Sequence, residues 1–194
     1  MATFGKTDAG SATTALSADN VWVSSGTPAS SGTVTSLTHR MNLSGAGTGN
    51  FRGVIYADNG GEPDALLAVT DDATFTNTTI AEVTANFTGA NQIAIVSGTP
   101  YWIGINWQDP GGGVTIVAGR DATATLRRVA NGDTFTGGAA NPISSPLTTL
   151  SGPIACYVTY STTTVKTYDT AAIATVKTVG VASIATTKTI NGIT

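Results

Sequence analysis

Glycine or proline interrupts this chain roughly every 8 to 12 residues, a rhythm that suits short strands joined by turns. The 23 glycines and 7 prolines stand between segments rich in Val, Ile, Thr and aromatic residues. Gly and Pro are costly inside helices, whereas β-branched and aromatic side chains fit a pleated, half-buried surface. Val21-Trp22-Val23 opens a strand after the Asp19-Asn20 turn. Residues 33–43 alternate, with Leu37, His39, Met41 and Leu43 on one face. Residues 51–57 run into Asp58-Asn59-Gly60-Gly61, a hairpin signal. Residues 65–69 and 80–87 follow. In 101–107, Tyr101, Ile103, Ile105 and Trp107 point one way, while Trp102, Gly104 and Asn106 point the other. Residues 114–118, 123–129 and 154–160 complete a set of roughly eight to ten strands. The expected fold is all-β: a jelly-roll-type, two-sheet antiparallel sandwich over residues 1–160.

A different pattern begins at residue 161. Thr164-Val165-Lys166-Thr167, Thr175-Val176-Lys177-Thr178 and Thr186-Thr187-Lys188-Thr189 repeat with a period of 11 residues, and a turn former (Asp169, Gly180, Asn191) closes each unit. Such short strands bury no core of their own and must pair with something else. Residues 161–194 are therefore expected to be an arm of three 11-residue β repeats. Its assembly residues would be Lys166, Lys177, Lys188, Val176, Val179, Ile184 and Ile190. Three lysines against Asp169 make the arm +2, while six cations against eleven anions make residues 1–160 −5. Self-association by strand addition is electrostatically reasonable on these numbers, and weak at physiological salt.

Composition removes several function classes. With 11% charged residues and a net charge of −3, the chain lacks the basic footprint of a nucleic-acid binder. A single cysteine, Cys156, rules out an internal disulfide framework and a multi-cysteine metal site. The N-terminal Met1-Ala2-Thr3-Phe4-Gly5-Lys6 has no apolar core of a secretory signal. No stretch approaches the ~20 apolar residues of a membrane span. The expectation is synthesis in a host cytoplasm, no membrane insertion, and release by a route such as lysis.

Catalytic equipment is sparse. The one histidine, His39, lies on the Leu37/Met41/Leu43 face, where a core-edge or hydrogen-bonded role is expected. Cys156 alternates with Ile154 and Val158 and reads as a small buried hydrophobe. Glycoside hydrolysis needs two carboxylates at a fixed separation, and the acids here fall in turns. No enzymatic activity is expected, and no cofactor. A structural Ca2+ is the exception to weigh, because Asp58, Glu62 and Asp64, with Asn59, crowd one loop. A plain hairpin turn explains the same residues. Sugar binding would need an exposed aromatic platform beside polar groups. Trp102 is one candidate, and Trp107 with Gln108 and Asp109 is the other.

Two stretches carry a resemblance: Gly53-Val54-Ile55-Tyr56-Ala57-Asp58-Asn59-Gly60-Gly61-Glu62-Pro63-Asp64-Ala65-Leu66-Leu67-Ala68, and Ser97-Gly98-Thr99-Pro100-Tyr101-Trp102-Ile103-Gly104-Ile105. Together they resemble a jelly-roll module of phage virion proteins and bacterial secreted proteins. Phe4-Gly5-Lys6-Thr7, Leu16-Ser17-Ala18-Asp19 and the strand at 154–160 fit the same pattern. The resemblance implies display or attachment, sometimes with carbohydrate binding. The expected function is a structural protein on a virion surface, either a head decoration or a tail-associated protein. It would assemble through its arm with the capsid or tail lattice and with itself, a trimer being the arrangement such proteins commonly adopt. The alternative is a carbohydrate-binding adhesion module that recognises host surface glycans.

Overall fold

The computed structural model describes residues 1–18, 20–109, 111–122, 125–129, 134–143 and 145–162, with only the backbone described at 125–129 and 151. Fourteen strands form among them. They are β1 (Ala2–Gly5), β2 (Ala12–Leu16), β3 (Val21–Gly26), β4 (Gly32–Leu43), β5 (Gly49–Asp58), β6 (Pro63–Val69) and β7 (Ala73–Phe75). Then come β8 (Ala81–Asn86), β9 (Ala94–Ile95), β10 (Tyr101–Gln108), β11 (Ile116–Arg120), β12 (Thr125–Val129), β13 (Leu147–Ser151) and β14 (Cys156–Thr162). All the pairings are antiparallel.

Two sheets result, and the expected all-β sandwich is what the chain forms. The first runs β1-β14-β4-β11-β2, with β8 and β9 also on β4; the second runs β13-β12-β3-β10-β5-β6, with β7 also on β5. The chain crosses between sheets from β2 to β3, β3 to β4 and β4 to β5, from β7 to β8, on entering and leaving β10, and again from β11 to β12 and β13 to β14. Long β4 is the hub of the first sheet. Leu37 pairs with both Val158 and Ala85, and Met41 with both Ala118 and Ala81. One edge of β4 is thus shared by β14 and β11, and β8 lies along the other.

The core follows the period-2 alternation. Leu37, Met41 and Leu43 of β4 face Phe51, Ile55, Ile103, Ile105 and Trp107 of the second sheet. Each large ring so enclosed removes on the order of 150–250 Å2 from water. The indole N–H groups of Trp22 and Trp107 both donate to the Ser17 carbonyl, at 3.3 and 3.1 Å. Their polar atoms are thereby satisfied inside an apolar layer.

A second, smaller cluster lies on the outer face of the second sheet, where Val21, Val23, Val54, Tyr56 and Trp102 meet Ile143. Residues 134–143 cover this face. The Ile143 N–H donates to the Asp64 carbonyl (3.0 Å), and the Leu66 N–H donates to Asn141 Oδ1 (3.0 Å). The Arg52 guanidinium sits 4.2 Å from the centroid of the Phe135 ring. β10 is consequently buried on both faces, which explains its unbroken apolar reading.

Strand β14 continues to Thr162, two residues beyond the boundary read from the sequence, and pairs there with Gly32. The sandwich belongs to a compact unit that spans Met1–Thr163. The repeats at 164–194 lie outside the described residues.

Candidate functional site

The two indoles proposed as sugar platforms are both enclosed. Trp107 is 1% exposed within the core between the sheets. Its neighbours Gln108 and Asp109 are exposed, but they are engaged locally. Gln108 Oε1 accepts from Asn50 Nδ2 at 2.9 Å, and Asp109 Oδ1 accepts from the Gly111 N–H at 2.8 Å. Trp102 does point away from Ile103 and Ile105, yet the outer cluster leaves it 5% exposed. Its Nε1 donates to Asp58 Oδ1 at 2.8 Å. Neither ring presents a face for a sugar to stack on. The alternation placed Trp102 on the correct face of β10, but nothing in it signals that residues 134–143 would cover that face.

Asp58, Glu62 and Asp64 all lie in the β5–β6 hairpin. Asp58 spends one oxygen on Trp102 and the other on the Gly61 N–H (3.1 Å), while Asp64 Oδ2 accepts from Asn59 Nδ2 (3.4 Å). Gly60 and Gly61 adopt φ of 65° and 87°, the left-handed turn that the Asn-Gly-Gly sequence allows at low cost. No group of three His, Cys, Asp or Glu side chains arranged for a metal occurs among the described residues. The arm residues Lys166, Lys177, Lys188, Val176, Val179, Ile184 and Ile190 lie outside the described residues.

His39 and Cys156 face one another in register on β4 and β14. His39 is fully buried, deeper than its expected core-edge place. Neither of its ring nitrogens completes a hydrogen bond, and the Phe51 ring meets it edge-on at 5.9 Å. Burial pulls its pKa down to about 4, and the nearby Gly104 carbonyl opposes this too weakly to matter. Burial likewise pushes the Cys156 thiol far above its ordinary value, so it stays protonated. Its closest polar contact is the Ile103 carbonyl at 3.7 Å. A thiol in this state is a packing group rather than a nucleophile.

A chemically varied cleft lies at a place the sequence did not single out. Between the end of β1 and the end of β3 the sheets part in a cleft of about 320 Å3, lined by Lys6, Ser25, Thr27, Ile103, Asp121 and Cys156, among others. Lys6 bridges Asp8 and Asp121, the latter at 2.9 Å. Burial alone would lower the Lys6 pKa, but hydrogen bonds to Asp8 and Asp121 outweigh it and hold the ammonium above its usual value. Asp8 is held below the usual carboxylate range by Lys6 and by the Gly10 N–H. A signal was available: Lys6 is the one lysine before residue 161.

No helix among the described residues is long and apolar enough to cross a membrane. Comparison with protein-family models returns no match, and comparison with curated proteins returns none either.

Proposed function

We propose that the chain is a structural protein displayed on the surface of a bacteriophage particle, as a head decoration or tail-associated component, and that it assembles through residues 161–194. The observation that carries this reading is the contrast between the two parts of the chain. The strands of both sheets find their partners within Met1–Thr163. The sequence that follows repeats a strand-forming Thr-x-Lys-Thr unit three times. Repeats of this kind suit addition to the sheet of another subunit, where backbone hydrogen bonds supply affinity. The resemblance of residues 53–68 and 97–105 to the virion and secreted jelly-roll module supports the same reading, as does the buried, idle state of His39 and Cys156.

The test compares the full chain with residues 1–163 by light scattering over a range of concentrations, alongside a full-length triple variant Lys166→Glu, Lys177→Glu, Lys188→Glu. Assembly of the full chain, with monomers for the other two, is the expected result. Monomers throughout, together with failure of the full chain to co-sediment with purified particles, would overturn it. A second reading, recognition of host glycans, is favoured by the open cleft beside Lys6 rather than by the two indoles. Both roles are compatible in one displayed protein.

A further inference from the structure

The first sheet ends at β8, whose one partner strand among the described residues is β4. The other single-partner strands β1, β2, β7, β9 and β13 have five residues or fewer, whereas β8 has six. β6 is longer, but Asn141 and Asn91 already accept two of its N–H groups. Alternate residues of an antiparallel strand turn their N–H and C=O to opposite sides. The Phe87 N–H donates to the Thr35 carbonyl of β4, and the Asn86 carbonyl accepts the Asp71 N–H on the other side, both at 2.9 Å. The register runs unshifted from Ala81 to Asn86, so Glu82 and Thr84 turn their backbone outward as Asn86 does. No described residue bonds to the outward N–H and C=O groups of Glu82 and Thr84, and both residues are exposed. β8 carries no proline, lysine or bulge, the usual guards of an open edge.

Charge and facing narrow what could pair there. Glu82 Oε1 accepts from Arg40 Nη2 at 2.6 Å, which leaves Oε2 at the surface. Asp71, also exposed, stands at the far end beside Asn86. On the opposite face Val83 and Ala85 turn to the core, and Ile80, 37% exposed, adjoins the strand. A strand with a cation on one face and an apolar or β-branched residue on the other therefore fits. A second β8 has no cation to offer. The Thr-x-Lys-Thr units carry Lys166, Lys177 and Lys188. A unit that turns its lysine to the Glu82 face turns the preceding Val165, Val176 or Thr187 to the Val83 face. Residues 164–194, fully extended, would span at most about 100 Å, enough to reach a neighbouring sandwich.

We propose that the outward edge of β8 is the acceptor for a Thr-x-Lys-Thr unit from a second copy of the chain, which adds a further strand to the first sheet and sets its lysine against Glu82. This rests on the assembly reading above and names the surface that receives the arm. Because a unit gains only the outward backbone groups of Glu82 and Thr84 and one charge pair, the contact is weak singly and salt-sensitive.

The experiment is sedimentation equilibrium of full-length variants at low and moderate salt. Thr84→Pro removes an outward N–H while leaving the ladder to β4 intact, and should weaken association about tenfold or more. It also loses the hydroxyl contact between Thr84 and Thr38, so circular dichroism establishes that the variant is folded. Should it fail to fold, Glu82→Lys makes the same test and should weaken association about fivefold. Ala15→Lys, on exposed β2, should leave association unchanged. Adding Glu82→Lys to the triple variant Lys166→Glu, Lys177→Glu, Lys188→Glu should strengthen its association about threefold or more. Association undisturbed by both β8 variants, an equal loss from Ala15→Lys, or no recovery on swapping the charges would overturn the proposal and leave the assembly reading standing. So would loss in the β8 variants with none in the triple variant, the mark of two β8 edges pairing. A full chain that is monomeric yet co-sediments with particles would assign the arm to the lattice and likewise overturn the proposal alone. A full chain that neither associates nor co-sediments removes both readings.

Discussion

His39 sits on β4 between Cys156 of β14 and Val83 of β8, with Phe51 edge-on at 5.9 Å and no hydrogen bond to either nitrogen. The unfolded chain takes up a proton here near pH 6.5, whereas the folded chain holds out until about pH 4. Between those values the unfolded state binds more protons, so stability falls as pH drops through the window and this residue adds no further slope below it. At about 1.36 kcal/mol for each pH step across that window, the loss amounts to on the order of 3 kcal/mol. His39→Leu should flatten the pH dependence between 4.5 and 6.5 and be the more stable protein at pH 5, as read from urea unfolding. A wild-type slope retained in the variant would place the titration elsewhere. At Asp58 the expectation is opposite in sign. Asp58→Ala removes the carboxylate that accepts from Trp102 and from Gly61, and should cost about 2 kcal/mol, with a changed Trp signal in near-ultraviolet circular dichroism. Alternation alone made the inward direction of His39 and Cys156 legible. It could not show that the imidazole would find no partner, because that depends on which groups the opposite sheet delivers.

At the scale of the strand, β10 bears the tightest constraint. A Cβ on Gly104 would lie 1.7 Å from the Trp22 carbonyl oxygen of β3, a clash with backbone that no rotamer relieves. Gly104→Ala should therefore destabilise by more than about 4 kcal/mol, seen as loss of soluble protein or a collapse in melting temperature. β6 shows how an outer edge is protected, since Asn141 and Asn91 side chains accept its Leu66 and Val69 N–H groups. An edge occupied in this way offers less to a passing strand. Strands with strong period-2 patterns were legible nearly to the residue: 33–43 became Gly32–Leu43 and 101–107 became Tyr101–Gln108. Those not anticipated were β1, β2, β7, β9 and β13, short and built largely from Ala and Thr. Each has one partner strand, and they exist because that partner offers an open edge, a cause no local propensity records. The cleft was hidden for a related reason. Its walls come from β1, β3, β10, the end of β11 and the approach to β14, which only the closed sandwich brings together.

For the molecule as a whole, residues 1–163 should unfold in one cooperative transition, with a stability within about 1 kcal/mol of the corresponding transition in the full chain. Equilibrium denaturation of both tests this, and a large deficit in the shorter chain would mean that the repeats support the sandwich. The closure of the first sheet also bears on how the protein is made. Phe4 pairs with Val158, and Leu37 needs Val158 as well as Ala85. At roughly 5–20 residues per second of synthesis, a ribosome spends several seconds or more between releasing β1 and releasing β14. Throughout that interval β1 and the hub strand each carry an unmatched row of amides, and so much non-local pairing slows the final step. Crowded nascent copies are thus most vulnerable to pairing with one another, and a host factor that shelters emerging strands would raise yield more than any substitution in the core.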